Sequence, residues 1–175
     1  MRQPRSVRLA ERVSTALRGS LPVPVLRMIY RAGYRAASVW WFFTRPPVSG
    51  SKVVVTRGDQ VLFIRQTYGE RNTWDLPGGT AGAGERPAQT ASRELFEEVG
   101  LKGELIPLGS WNGSGHARRA TLHGFGVEVD QDAELVLDKV EIAEARWFDS
   151  DNPPAAVAEG SRAVLKAANI LGSDA

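Results

Sequence analysis

Two short runs in the middle of the chain, Val53 to Thr56 and Val61 to Arg65, are apolar and β-branched, and Gly58-Asp59 separates them. That pattern predicts a strand, a tight turn and a second strand. From 67 to 84 the segment TYGERNTWDLPGGTAGAG is rich in glycine and turn formers and predicts a loop. Pro87 suits the first turn of a helix running to Val99, with Gly100 at its C-terminal end. Arg86 is a poor cap for that helix. Segments 104–111, 119–129 and 141–148 read as further strands, and Ser161 to Leu171 as a short helix capped by Gly172. Strands and helices alternate without a strict βαβ rhythm, which predicts an α/β domain with a mixed sheet between helices.

The first 47 residues have a different texture. Val25, Met28, Ala32, Ala36, Val39 and Phe43 recur at helical spacing, and Arg27, Arg31 and Arg35 form a stripe on another side. Pro46 and Pro47 end the segment. Residues 1–47 are therefore expected to be a basic helical extension, and residues 48–172 the main domain. Three arginines argue against a membrane span here. The stripe beside VWWFF at 39–43 leaves two readings: peripheral membrane contact through residues 20–45, or packing of the aromatic face on the domain or on a second copy in a homodimer. Packing is preferred, because aromatic runs in such chains are more often buried. The expected location is cytoplasmic, with the N-terminal segment as the place of any membrane association.

Charge sharpens this division. Residues 1–47 hold nine Arg against one acid, Glu11, whereas residues 48–175 hold 13 basic and 19 acidic residues. The basic excess belongs to the extension and the domain is acidic. The chain has no cysteine and only two histidines, so thiolate zinc sites, disulfides and a Cys nucleophile are excluded. A metal here would need oxygen ligands.

The acidic excess has a focus. On the 88–99 helix, Glu94, Glu97 and Glu98 fall within an arc of about 100°. Like charges three and four residues apart repel. Leu95, Phe96, Val99 and Ala88 occupy another side, suited to a core. Just upstream lie Gly78, Gly79, Gly82, Gly84 and then Glu85, so four carboxylates converge on a turn that lets backbone approach a ligand. A hard cation such as Mg²⁺, shared between carboxylates and substrate phosphates, would turn the repulsion into common attraction. Arg93 could orient one of these carboxylates. A bare Glu triplet, by itself, reads more simply as a solvated acidic face.

The wider spacing reverses that balance. Residues 79–101, GTAGAGERPAQTASRELFEEVGL, resemble the Nudix box: Gly79, Glu85, Arg93, Glu94, Leu95, Glu97, Glu98, Gly100 and Leu101 all fall in place. WDLPGG at 74–79 resembles the usual lead-in, and EIAEARWFD at 141–149 the late strand. The resemblance implies an α/β/α sandwich around a mixed sheet. It implies hydrolysis of a nucleoside diphosphate linked to another moiety, with one to about three Mg²⁺ or Mn²⁺ ions. Glu94, Glu97 and Glu98 would hold metal, with the Gly78 carbonyl as an additional ligand, and Arg93 and Glu85 would orient the carboxylates. Glu141, and after it Glu144, is the candidate for a completing glutamate outside the box. The general base is Glu97 or Glu141, a choice the sequence leaves open.

Around this centre the candidates weaken. Trp74 and Tyr68 flank the glycine loop and could stack on a base; equally, Trp74 is a packing anchor. Arg65 is a candidate phosphate contact or a plain strand-end charge. His116, Arg118 and Arg119 sit in a loop that could reach the site, His123 reads as a strand residue, and Trp111 fits core or cleft. The proline mark of ADP-ribose pyrophosphatases and the tyrosine mark of dinucleoside polyphosphate hydrolases are absent around 115–119. Nucleoside triphosphates, nucleotide sugars and related nucleotide-type diphosphates remain. The alternatives are a non-catalytic nucleotide sensor, against which the intact box argues, and an RNA 5′-end pyrophosphohydrolase. No specific nucleic-acid binding is expected, since no aromatic-basic pattern accompanies the arginines.

Overall fold

The computed structural model describes residues 21–29, 31–33, 48–68, 72–112 and 120–172. Helix α1 covers 23–29 and 31–33. Strands β1 (Val48–Arg57), β2 (Gln60–Gln66) and β3 (Gly78–Thr80) precede helix α2 (Pro87–Val99). Strands β4 (Ile106–Asn112), β5 (Ala120–Glu128) and β6 (Ile142–Asp149) follow, and then helix α3 (Glu159–Ala167). The six strands form one sheet in the order β4-β5-β1-β2-β6, with β3 also paired to β1. β1 and β5 run parallel, and every other pairing is antiparallel.

The apolar run in β1 has residues on both faces of this sheet. Val53 and Val55 face α2 in one cluster with Leu62, Ile64, Ala91, Leu95, Val99, Phe125 and Val127. Val54 points the other way, with Val61, Phe63, Leu76, Val164 and Leu165 beside α3. A central strand with both faces covered has no reason to alternate with polar residues, which is why VVV stands where it does. The result is the α/β/α sandwich around a mixed sheet, and Phe63 with Phe148 in edge-to-face contact at 5.5 Å anchors its α3 layer.

Several expectations need correction. The 67–84 segment is not all loop: Gly78–Thr80 forms β3, opposite Gly50, Ser51 and Lys52 of β1. No local pattern marks those three residues as a strand, because the pairing is made by a distant partner. The terminal helix stops at Ala167 and turns through Asn169, which has φ 58°, so it does not reach Leu171. On α2 the core face is Ala91, Leu95 and Val99, four residues apart, whereas Phe96 is 51% exposed and Ala88 is also exposed. Lys102 lies over the Phe96 ring at 4.4 Å. Among the described residues of α1 the buried one is Leu26, while Met28 is 63% exposed and Ala32 is exposed, so the docking face differs from the expected Val25-Met28-Ala32 face. Residues 34–47, with VWWFF, lie outside the described residues, as do His116, Arg118 and Arg119. No helix among the described residues is long and apolar enough to cross a membrane.

The caps of α2 fix where the helix that carries the glutamates starts and stops. At its start the Gln89 side chain accepts the Arg86 backbone N–H at 3.1 Å, compensating for the poor cap. At its end Gly100 has φ 76°, and its N–H reaches the Phe96 carbonyl. A Cβ added there would come within 2.7 Å of the Val136 Cβ. Gly100→Ala should therefore destabilise the protein by about 1–2 kcal/mol through left-handed strain, with the contact adding to it. Urea unfolding should show this as a lower midpoint at unchanged slope.

Candidate active site

Helix α2 presents its acidic side to β3, and Glu98 is the innermost of the three. It is 3% exposed, and its Oε2 accepts the Gly78 backbone N–H at 2.8 Å. Burial pushes the Glu98 carboxyl up to about 8, and the nearby Glu94 and Glu141 push the same way against Lys52 and the Gly78 amide. Gly78 must be glycine here. Its φ is 143°, and a Cβ would run into the Ser51 carbonyl of β1. A Cβ on the next residue, Gly79, would run into the Glu94 carboxylate. The glycine pair thus lets the strand lie directly against the acidic helix.

Arg93 is the hub of the outer half. Its Nε and Nη2 donate to the two Glu85 oxygens at 2.9 and 3.0 Å, a bidentate fork. Nη1 donates to Glu94 at 2.9 Å and to Glu97 at 3.1 Å. Nη2 also reaches the Thr80 carbonyl of β3 at 3.3 Å. Glu85 receives in addition the Gly82 N–H at 2.7 Å and the Thr90 hydroxyl at 3.0 Å. These donors, Arg93 first, hold the Glu85 carboxyl down at about 2. Glu94 moves the opposite way, raised by burial against the pull of Arg93. The expected pairing of Arg93 with one carboxylate is in fact a clasp on three, and it explains how the cluster survives its own repulsion.

Tyr68 and Glu141 close the other side. The Tyr68 hydroxyl donates to Glu141 Oε2 at 3.4 Å. Burial, then Glu141, Glu98 and Glu94, hold the phenol well above its usual range, so it stays a donor. The Glu141 charge pushes Glu94, Glu98 and Tyr68 in the same upward direction. Glu144 is elsewhere, paired with Arg65 and, at 2.9 Å, with Arg146.

Arg65 and Trp74 are not brought to the glutamates. The Arg65 guanidinium lies 4.6 Å from the Trp74 ring, and Trp74 meets the Phe148 edge at 4.9 Å. Both belong to the α3 side of the sheet, since Arg65 follows the alternation of Val61 and Phe63, and Trp74 packs with that cluster. Trp111 also packs there. His123 is a β5 residue as expected, and its Nδ1 lies 2.8 Å from the Ser110 hydroxyl.

Sequence reasoning missed Lys52. Its ammonium donates to Asp75 Oδ2 at 2.6 Å and to the Leu76 carbonyl at 3.0 Å, with the two side chains only 14% and 18% exposed. Ser161 donates to the other Asp75 oxygen at 2.5 Å. Burial raises the Asp75 carboxyl, but Lys52 and Ser161 outweigh it and hold it low. This half-buried pair begins at the β1 residue that faces Gly78 of β3, and Lys52 lends positive charge to Glu98. The signal was present: a lysine inside an apolar central strand must find a carboxylate.

As placed, no three acidic or histidine side chains among the described residues stand close enough to form a finished metal cage. The donor chemistry still suits a hard dication. Every candidate ligand is oxygen, and Mg²⁺ keeps several waters and needs only a few carboxylates beside substrate phosphates. A soft metal would find neither sulfur nor imidazole in the cluster.

Comparison with known proteins settles the class. A family model for the NUDIX domain matches residues 46–168. The chain belongs to the Nudix family. It is 34% identical over 120 residues to the NAD-capped RNA hydrolase NudC of Stutzerimonas stutzeri, covering 66% of this chain and 42% of that protein. It is 46% identical over 56 residues to the RNA pyrophosphohydrolase of Tolumonas auensis, covering 32% of this chain and 31% of that protein. The chain therefore spans less than half the length of these relatives. The crystal structure of a MutT NUDIX hydrolase from Burkholderia pseudomallei superposes with a TM-score of 0.59 at 22% identity, covering 69% of this chain and 97% of that one. At that identity the likeness shows the fold.

Proposed function

We propose that this chain is a divalent-cation-dependent pyrophosphohydrolase that cleaves the diphosphate linkage of a nucleoside diphosphate derivative. One observation carries this reading: a carboxylate buried to 3% exposure at Glu98, with Glu94 and Glu141 close enough to raise it, against a glycine strand. Such a site is costly unless positive charge arrives. Glu94, Glu97, Glu98 and the Gly78 carbonyl would hold Mg²⁺ or Mn²⁺, which supplies charge neutralisation of the diphosphate and acidifies water. The chain's own residues do the rest. Arg93 and Glu85 hold the carboxylates in place, and Gly78 and Gly79 let phosphate approach the backbone. Glu141 is the better-placed general base, because Glu97 is 55% exposed and held by Arg93. Tyr68 fixes the Glu141 carboxylate by its hydroxyl.

A second reading, action at the 5′ end of RNA, draws support from the names of the two curated relatives above. One experiment tests both. Purified protein with Mg²⁺ is offered nucleoside triphosphates, nucleotide sugars, dinucleotides and NAD-capped or triphosphorylated RNA, and products are read by mass. A nucleoside monophosphate, or RNA ending in a monophosphate, is expected. Nucleotide binding without product across Mg²⁺ and Mn²⁺ concentrations would favour the non-catalytic sensor.

A further inference from the structure

Helix α1 touches the domain through backbone that carries two residues of the site. Arg27 donates Nε and Nη2 to the Lys139 carbonyl at 3.0 and 2.8 Å. One turn on, Arg31 donates Nε to the Thr67 carbonyl at 3.0 Å. On the same helix Leu26 is buried to 3% exposure. The two carbonyls belong to one knot. The Thr67 N–H donates to the Glu141 carbonyl at 2.8 Å, and its hydroxyl to the Val140 carbonyl at 2.7 Å. Tyr68 and Glu141 project from this knot and meet side chain to side chain. Two of the three arginines read as a stripe for an anionic surface are thus engaged by the domain.

We propose that α1 is a positioning clip, in which Arg27 and Arg31 set where Glu141 stands relative to Glu94 and Glu98. This rests on the reading of Glu141 as general base. The physical ground is that hydrogen bonds from guanidinium groups are charge-assisted and directional. They grip the 139–141 turn and the end of β2 from outside the sheet, where strand pairing does not reach. A catalytic group displaced by about an ångström can lose up to about a hundredfold in rate. The clip makes the N-terminal extension part of the active-site machinery and gives anything that binds the extension a route to turnover.

The test uses the full chain with Arg27→Ala/Arg31→Ala, alone and combined with Glu141→Gln. The arginine pair alone should lower kcat about five- to twentyfold with KM within about twofold. It should also speed hydrogen exchange at the Thr67 amide. Added to Glu141→Gln, it should cost nothing further, because residues that act through one another are not additive. Arg27→Lys/Arg31→Lys, which keeps a charged donor at each position, should recover much of the loss. A helix that merely stabilises the fold would give an additive loss, and that result overturns the clip. So does an unchanged Thr67 exchange rate, whatever the substrate panel yields. If Glu141→Gln turns over normally, the base assignment and the clip fall together, and the hydrolase reading still stands on Glu98. If only the arginine variant is normal, the clip alone falls.

Discussion

Glu98→Gln should cut hydrolysis by about a hundredfold to a thousandfold at saturating Mg²⁺, with the fold intact. The magnitude follows from removing one element of a preorganised electrostatic site. Glutamine retains the shape of the side chain and an oxygen for the Gly78 N–H, now 2.8 Å from Oε2. It cannot carry the negative charge that a dication needs at the innermost ligand position. Loss of shape is therefore separated from loss of charge. The measurement is kcat on whichever substrate the panel identifies, with circular dichroism to check the fold. A variant within about threefold of the parent would remove Glu98 from the centre and move the site elsewhere.

The second large effect concerns stability in EDTA. Burial raises Glu98 from 4.5 to about 8, so the folded protein binds this proton more tightly than the unfolded chain does. The contribution is fully present below about pH 4.5 and is lost as the pH rises through about 8. At about 1.36 kcal/mol per unit, the loss is on the order of 3–5 kcal/mol. Glu94, also raised, adds in the same direction. Glu85, at about 2, and Asp75, held low, work oppositely, but their windows lie below their ordinary values and do not overlap this one. Metal-free protein should accordingly be more stable at pH 5 than at pH 8 by urea unfolding. Glu98→Gln should flatten most of that slope, and Mg²⁺ should stabilise more at pH 8 than at pH 5. A native protein whose midpoint is flat or rises between those values would show that Glu98 is ionised without difficulty.

The readable part of this chain is the part where local rules and chemistry coincide. Pro87, Gly100 and the 3.6-residue repeat fix α2, and the spacing from Gly79 to Leu101 fixes the family, because each position does one job that few residue types can do. What was not readable depends on distant partners. Gly78–Thr80 is a strand only because Ser51 and Lys52 offer it an edge. Arg65 and Trp74 are near the glycine loop in sequence, yet strand alternation sends them to the α3 side. Helix α1 docks by Leu26 and two arginines because the receiving carbonyls, at 67 and 139, come from two separate strand ends. Periodicity within one helix cannot reveal which side a partner will take. The triple grip of Arg93 was half visible: its place beside the acidic arc was plain, but the arrival of Glu85 required the turn at 82–85 to fold back.

The two borders of the sheet have a bearing on how the molecule behaves in a crowd. An outermost strand offers bare amide groups to any neighbour's strand. β4, at one border, contains Pro107, which has no amide hydrogen, and its register slips between Pro107 and Gly109. β6, at the other, carries Glu144 and Arg146 as a charged pair. A missing amide hydrogen and a broken register on β4, and a charged pair on β6, each weaken that rim as a template for another chain's strand.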